Sequence, residues 1–287
     1  MLLLPSRRCR QRSRPYGPDF PVVTVRDSVR LHMRLVTEAL GVRSVACVVG
    51  GSMGGMQALE WLCLGGALVR SAVVMSCGAR HHAWQIAISE AQRAAICADP
   101  RFRGGRYAPE LPPEAGLGVA RQMAMITYRS HTAYSDKFGR QRQVRPAGGA
   151  SQGEGRRHAE GVGDDGVFAV ESYLRHQGAK FNERNFDALS YIRLTQLMDS
   201  HDVGRGRGGA DKALAGVRRP VLIVAVSSDV LYPPSEQREL AELLPDASLL
   251  EVQSENGHDG FLLDNDQIAP QLRLFLARHA AAPRARL

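Results

Sequence analysis

Val48-Val49-Gly50-Gly51-Ser52-Met53-Gly54-Gly55 joins an apolar run to a G-x-S-x-G turn, and Met56-Gln57-Ala58-Leu59-Glu60-Trp61 continues with helical patterning. A strand that turns sharply into a helix presents a serine in this way, on strained backbone that only small neighbours accommodate. Ser52 is the candidate nucleophile. The helix behind it points its N-terminus at the serine, where backbone amides and the dipole favour developing negative charge. The chemistry this implies is acyl transfer.

Two further segments complete the pattern. Pro220-Val221-Leu222-Ile223-Val224-Ala225-Val226 reads as a strand ending in Ser227-Ser228-Asp229. The apolar segment 247–252 leads to Asn256-Gly257-His258-Asp259-Gly260-Phe261. An acid after one strand and a histidine after the next give the order Ser52, Asp229, His258, which is that of the α/β-hydrolase fold. Serine hydroxyl is a weak nucleophile at neutral pH, so His258 would accept its proton and Asp229 would hold the imidazole in the right tautomer.

The rest of the chain fits an α/β architecture. Helical spacing runs over 24–40, with Gly41 as a stop. Strands are expected at 44–49 and 71–75, with the helix 53–64 between them. Strands and helices in alternation imply a parallel sheet flanked by helices. The alternation stops between 77 and 215, where helices are expected at 84–98, 118–128, 170–177 and 187–199. The expected organisation is an irregular basic start at 1–15, a core of 16–78 and 215–280, an inserted helical lid at 79–214 and a tail at 281–287. Within the lid, 141–166 is rich in Gly, Arg and Gln without a hydrophobic period, which marks a flexible loop or insertion. Helices at 234–244 and 267–278 close the core.

At 287 residues with 44% apolar content, the chain can bury a substantial core. Its formal net charge is +8, but arginines near both ends carry much of the excess, and no basic groove with reading elements points to nucleic acid. An anionic metabolite is the more economical partner for that charge. The five cysteines form no C-x-x-C pair and read as reduced residues of a cytoplasmic protein. No apolar stretch approaches the roughly 20 residues needed to cross a bilayer. His81-His82 lacks accompanying ligand spacing, so no metal is expected. The arginines of the glycine-rich run 201–208 could meet phosphates, although a solvated loop explains them as well.

The residues also resemble the homoserine O-acetyltransferase family, α/β-hydrolase-fold enzymes of methionine biosynthesis. The resemblance rests on Phe20-Pro21 with Thr24-Val25-Arg26-Asp27, on the stretch 50–61, on Ala83-Trp84-Gln85-Ile86-Ala87 and on Thr127-Tyr128-Arg129-Ser130. It extends through Glu171-Ser172-Tyr173-Leu174 and Ser228-Asp229 with Leu231-Tyr232-Pro233. It implies a ping-pong transfer in which acetyl-CoA, a co-substrate and not a resident cofactor, acylates Ser52. The hydroxyl of L-homoserine then attacks with His258 as base. By the same resemblance Arg121 and Asp259 bind the amino acid, a guanidinium suiting its carboxylate and a carboxylate its ammonium. Two copies are expected to pair through the lid helices.

The match starts near Tyr16, whereas family members carry a long portion before that point. The expectation is therefore a sheet of four strands lacking those that normally flank the elbow strand, and an open edge along 45–49. Only the Met53 amide would remain to hold the oxyanion, and loss of one such donor costs roughly 10²–10³ in turnover, so activity could be lost. Transfer to serine or another small alcohol, use of succinyl-CoA, hydrolysis, and an inactive remnant stay open as alternatives.

Overall fold

The computed structural model describes residues 8–9, 12–143 and 167–279. The expected tail at 281–287 lies outside them, as does all but 141–143 of the expected loop. At the start, β1 (Arg8–Cys9) and β2 (Arg12–Pro15) form an antiparallel ribbon where an irregular segment was expected. Pro15 disfavours helical backbone at the residue before it, which keeps that strand extended.

Next comes α1 (Val25–Arg34), opened by a reciprocal cap: the Thr24 hydroxyl accepts from the Asp27 amide, and the Asp27 carboxylate accepts from the Thr24 amide. A π-helical turn over Leu35–Ala39 extends it, and Gly41 at φ +65° ends the run. The elbow strand is β3 (Val48–Gly51), later than the expected 44–49. Val45 makes only an isolated bridge to Val69, and the Ser71 hydroxyl donates to the Ala46 carbonyl between that bridge and the regular ladder. Regular pairing then runs into the glycines, up to Gly51 opposite Met75.

From the elbow the chain enters α2 (Met53–Gly65), β4 (Ala72–Met75) and α3 (Ala83–Ala98). The inserted helices continue as α4 (Glu114–Thr127) and α5 (His131–Phe138), followed by the short pair β5 (Arg142–Gln143) and β6 (Val167–Phe168). After these come α6 (Ala169–Glu183), α7 (Ala188–Asp199) and α8 (Ala210–Ala215). The chain returns to the sheet through β7 (Val221–Val226), α9 (Pro234–Leu243), β8 (Ala247–Val252), α10 (Gly260–Leu263) and α11 (Asn265–His279).

The main sheet is four-stranded and parallel, in the order β3-β4-β7-β8. Its central strands are apolar at every position because both faces are covered. Side chains alternate across it: Val74 and Ile223 join the core beneath α1, α2 and α9, whereas Val73, Leu222 and Val224 pack with Ile268 and Phe275 of α11. A third cluster, with Ile96, Leu117 and Ile192, binds α3, α4 and α7 to one another. Among the described residues β3 is an edge strand, and its Val49 is 49% exposed.

One buried ion cluster ties the elbow helix to its surroundings. Glu60 of α2 is 2% exposed and takes hydrogen bonds from Arg26 of α1 and from Arg207 at 2.7–3.2 Å. Burial alone would raise the Glu60 pKa, but Arg207 and Arg26 together outweigh it and hold the carboxyl below its ordinary value. A depressed folded value means that this contribution is present above the ordinary carboxyl pKa and is lost as pH falls through the folded one. Glu60→Gln leaves two guanidiniums without their anion. We expect a stability loss toward the lower end of roughly 3–5 kcal/mol, since both arginines keep some water. Denaturant melts at neutral and acid pH check it, the deficit being expected to narrow in acid.

Candidate active site

Parallel strands deliver their following loops to one end of the sheet, and the elements of the site meet there. Ser52 lies between β3 and α2 at φ 54°, ψ −124°, a region that costs a non-glycine residue about 1–3 kcal/mol. Its backbone is fixed on both sides: its amide donates to the Met75 carbonyl at 2.9 Å, and its carbonyl accepts from Gly55 and Met56. A Cβ at Gly50 would sit 2.1 Å from the Gly54 carbonyl oxygen, so the turn closes only with glycine there. Met53, the first residue of α2, has an amide with no acceptor within the helix.

His258 and Asp229 complete a line with Ser52. The imidazole Nε2 stands 2.9 Å from Ser52 Oγ, and Nδ1 stands 2.7 Å from Asp229 Oδ2. Asp229 is 3% exposed, and its Oδ1 accepts the amides of Leu231 and Tyr232 at 2.9 and 2.8 Å. A carboxylate is acceptor-only, so the proton belongs on Nδ1 and Nε2 is left to accept from the serine. The rings of Tyr232, Phe261 and Tyr128 surround the imidazole, with centroids 5.3, 5.4 and 6.0 Å away. Tyr232 and Phe261 follow Asp229 and His258 closely in the chain, whereas Tyr128 comes from the distant end of α4 and only the fold brings it here.

Arg121 and Asp259 approach the same end. The Arg121 guanidinium lies 5.6 Å from the Tyr128 ring centroid and 5.2 Å from that of Phe181. Asp259 makes an ion pair with Arg129 at 3.2 Å, a partner the sequence reading did not assign. Burial raises the Asp259 pKa, against the opposing pull of Arg129, His258 and Arg121. Asp259 thus interacts electrostatically with His258, and Arg121 with Asp259. A cavity of about 440 Å³ between α1, α2 and α7 reaches Met53 and Gln57, but Ser52, His258 and Asp259 do not line it.

The other sequence candidates have structural partners. His81 is buried, with Nδ1 3.0 Å from the Tyr232 hydroxyl, and burial pushes its pKa down to about 4, so it stays neutral near pH 7. His82 caps α3. Among the described residues no group of three or more His, Cys, Asp or Glu side chains is placed to hold a metal ion. Arg207 is held by Glu60. No described helix is long and apolar enough to cross a membrane.

The chain matches the alpha/beta hydrolase fold over residues 5–265, and its sheet, elbow and triad order define it as an enzyme of that fold. It is 46% identical over 261 residues to a homoserine O-acetyltransferase of Chlorobium chlorochromatii, covering 91% of this chain and 68% of that one. It is 48% identical over 250 residues to a homoserine O-acetyltransferase of Trichormus variabilis, covering 87% and 64% respectively. The crystal structure of homoserine O-acetyltransferase from Bacillus anthracis superposes with a TM-score of 0.84 at 22% identity, over 98% of this chain and 72% of that one. The chain belongs to the homoserine O-acetyltransferase family of acyltransferases.

The loop carrying His258 depends on one close approach. Gly257 has φ +67°, and a Cβ on it would lie 2.6 Å from the Arg129 carbonyl carbon and the Ser130 amide nitrogen. Gly257→Ala should therefore lower stability by about 1–3 kcal/mol and displace His258 from Ser52. Labelling of Ser52 by a fluorophosphonate, timed on folded protein, is expected to slow at least tenfold; an unchanged labelling rate would show that this contact does not position the histidine.

Proposed function

We propose that the chain transfers an acetyl group from acetyl-CoA to the side-chain hydroxyl of L-homoserine through an acetyl-Ser52 intermediate. The observation that carries this reading is the line Ser52–His258–Asp229, at 2.9 and 2.7 Å, with Asp259 next to His258 and Arg121 within electrostatic reach of Asp259. The names of the relatives support the choice of acyl group and acceptor. Acetyl-CoA is consumed as a co-substrate, the product belongs to methionine biosynthesis, and two copies pair through the inserted helices.

In the first half-reaction Ser52 Oγ attacks the thioester carbonyl while His258 Nε2 takes its proton. The C–S bond breaks, and the CoA sulfur leaves with that proton. The charge on the carbonyl oxygen develops beside the Met53 amide at the start of α2. Asp229 keeps the imidazole in its tautomer and stabilises the charged form. In the second half-reaction the homoserine hydroxyl gives its proton to His258 and attacks the acetyl carbon. The ester bond to Ser52 then breaks, and Oγ recovers the proton. Arg121 takes the substrate carboxylate, and Asp259, steadied by Arg129, takes its ammonium.

Incubating the protein with acetyl-CoA and following free CoA and amino-acid products by mass spectrometry tests the reading. O-acetylhomoserine is expected with homoserine. O-acetylserine alone, products from succinyl-CoA alone, or free acetate without acceptor product would replace it. Arg121→Ala should raise the KM for homoserine about 10–100-fold, the worth of a hydrogen bond to a charged group, and leave acetylation of Ser52 intact.

A further inference from the structure

Behind the triad lies a second buried carboxyl that the mechanism above does not use. Glu236, on the first turn of α9, is 9% exposed. Its Oε1 accepts from Gln85 Nε2 at 2.8 Å, and the same amide nitrogen donates to the Leu231 carbonyl at 2.8 Å. The orientation of that amide is fixed from the other side, because Gln85 Oε1 accepts from the His82 amide at 2.9 Å. The peptide group to which that carbonyl belongs donates its N–H, that of Tyr232, to Asp229 Oδ1 at 2.8 Å. A continuous hydrogen-bonded path therefore runs from the Glu236 carboxyl through Gln85 and one peptide group to the carboxylate that holds His258. The other oxygen, Oε2, is buried without a hydrogen-bond partner and lies where a Cβ on Gly78 would come within 2.4 Å.

We propose that Glu236 is a positioning residue for Asp229, acting through Gln85 and the Leu231–Tyr232 peptide, and that its charge sets how strongly the Asp229–His258 pair draws the Ser52 proton. The inference rests on the acyl-serine reading of the site. Burial raises the Glu236 pKa to about 7, with Asp229 and Glu239 adding to the rise and the Gln85 hydrogen bond and Arg80 opposing it. The ionisable groups around it are Asp229 and Tyr232 on the loop after β7, Glu239 on α9, and Cys77, Arg80 and His82 between β4 and α3. Arg80 is itself held by Glu239. Below about pH 7 the carboxyl holds a proton, and the carboxyl groups acting on the imidazole are those of Asp229 and Asp259. Above it Glu236 adds a further anion that strengthens the pull on an imidazolium.

The test is the pH profile of Ser52 acetylation by p-nitrophenyl acetate, which needs neither CoA nor homoserine. Relative to the unsubstituted chain, Glu236→Gln should move the acid limb to lower pH by about half a unit, with the plateau rate kept within about threefold. Gln85→Leu, which keeps the carboxyl but removes its donor, should leave Glu236 protonated to higher pH and move the limb in the same direction. A limb that stays in place in folded Glu236→Gln, whether or not the plateau falls, would overturn the proposal. If Glu236→Gln does not fold, an unmoved limb in Gln85→Leu overturns it instead. Failure of the unsubstituted chain to acetylate at Ser52 would remove the acyl-serine reading itself.

Discussion

Everything at this site depends on the backbone of Ser52 being held where a serine does not rest by itself. A side chain at φ 54° stays there because its neighbours over-determine it: a hydrogen bond to Met75 on one side, the first turn of α2 on the other, and glycine where a methyl group would meet a carbonyl. The strain is small beside the burial that supports it. Met56, Leu59 and Leu62 anchor α2 in the core, and Glu60 joins it to Arg26 and Arg207. Ser52 is thus held by a helix that is itself anchored on both counts.

The same arrangement explains which features were legible in the sequence. Gly50, Ser52 and Gly54 form a local signal, since the elbow's geometry is decided within five residues. Asp229 and His258 were legible because each follows a strand, and parallel strands bring their following loops to one end. The helices 83–98 and 188–199 were readable from their spacing. Within 44–47 only Val45 pairs, by an isolated bridge to Val69, and the apolar character of the stretch does not reveal that the Ser71 hydroxyl takes the Ala46 carbonyl. Pairings between distant segments, such as Arg129 with Asp259 or Gln85 with Glu236, are set by tertiary placement and leave no local pattern. The helix His131–Phe138 was missed for a related reason. It is short, carries one buried residue, and takes its start from Ser130, whose hydroxyl caps Ala133 while also reaching the Glu255 carbonyl.

That last contact shows how the inserted helices and the catalytic loop form one unit. Four links join residues 128–130 to residues 255–259: the Asp259 amide donates to the Tyr128 carbonyl at 3.1 Å, Arg129 pairs with Asp259 and donates to Asn256 Oδ1, and the Ser130 hydroxyl donates to the Glu255 carbonyl. At their centre Gly257 lets the two backbones touch. Arg121 lies on the helix that leads into this junction and stacks on Tyr128, whose ring also faces His258. A displacement of α4 therefore moves Arg121 and the His258 imidazole together. On the proposed roles, acceptor binding and proton transfer depend on one set of contacts, so the hydroxyl to be acetylated would be oriented by the same junction that orients the imidazole.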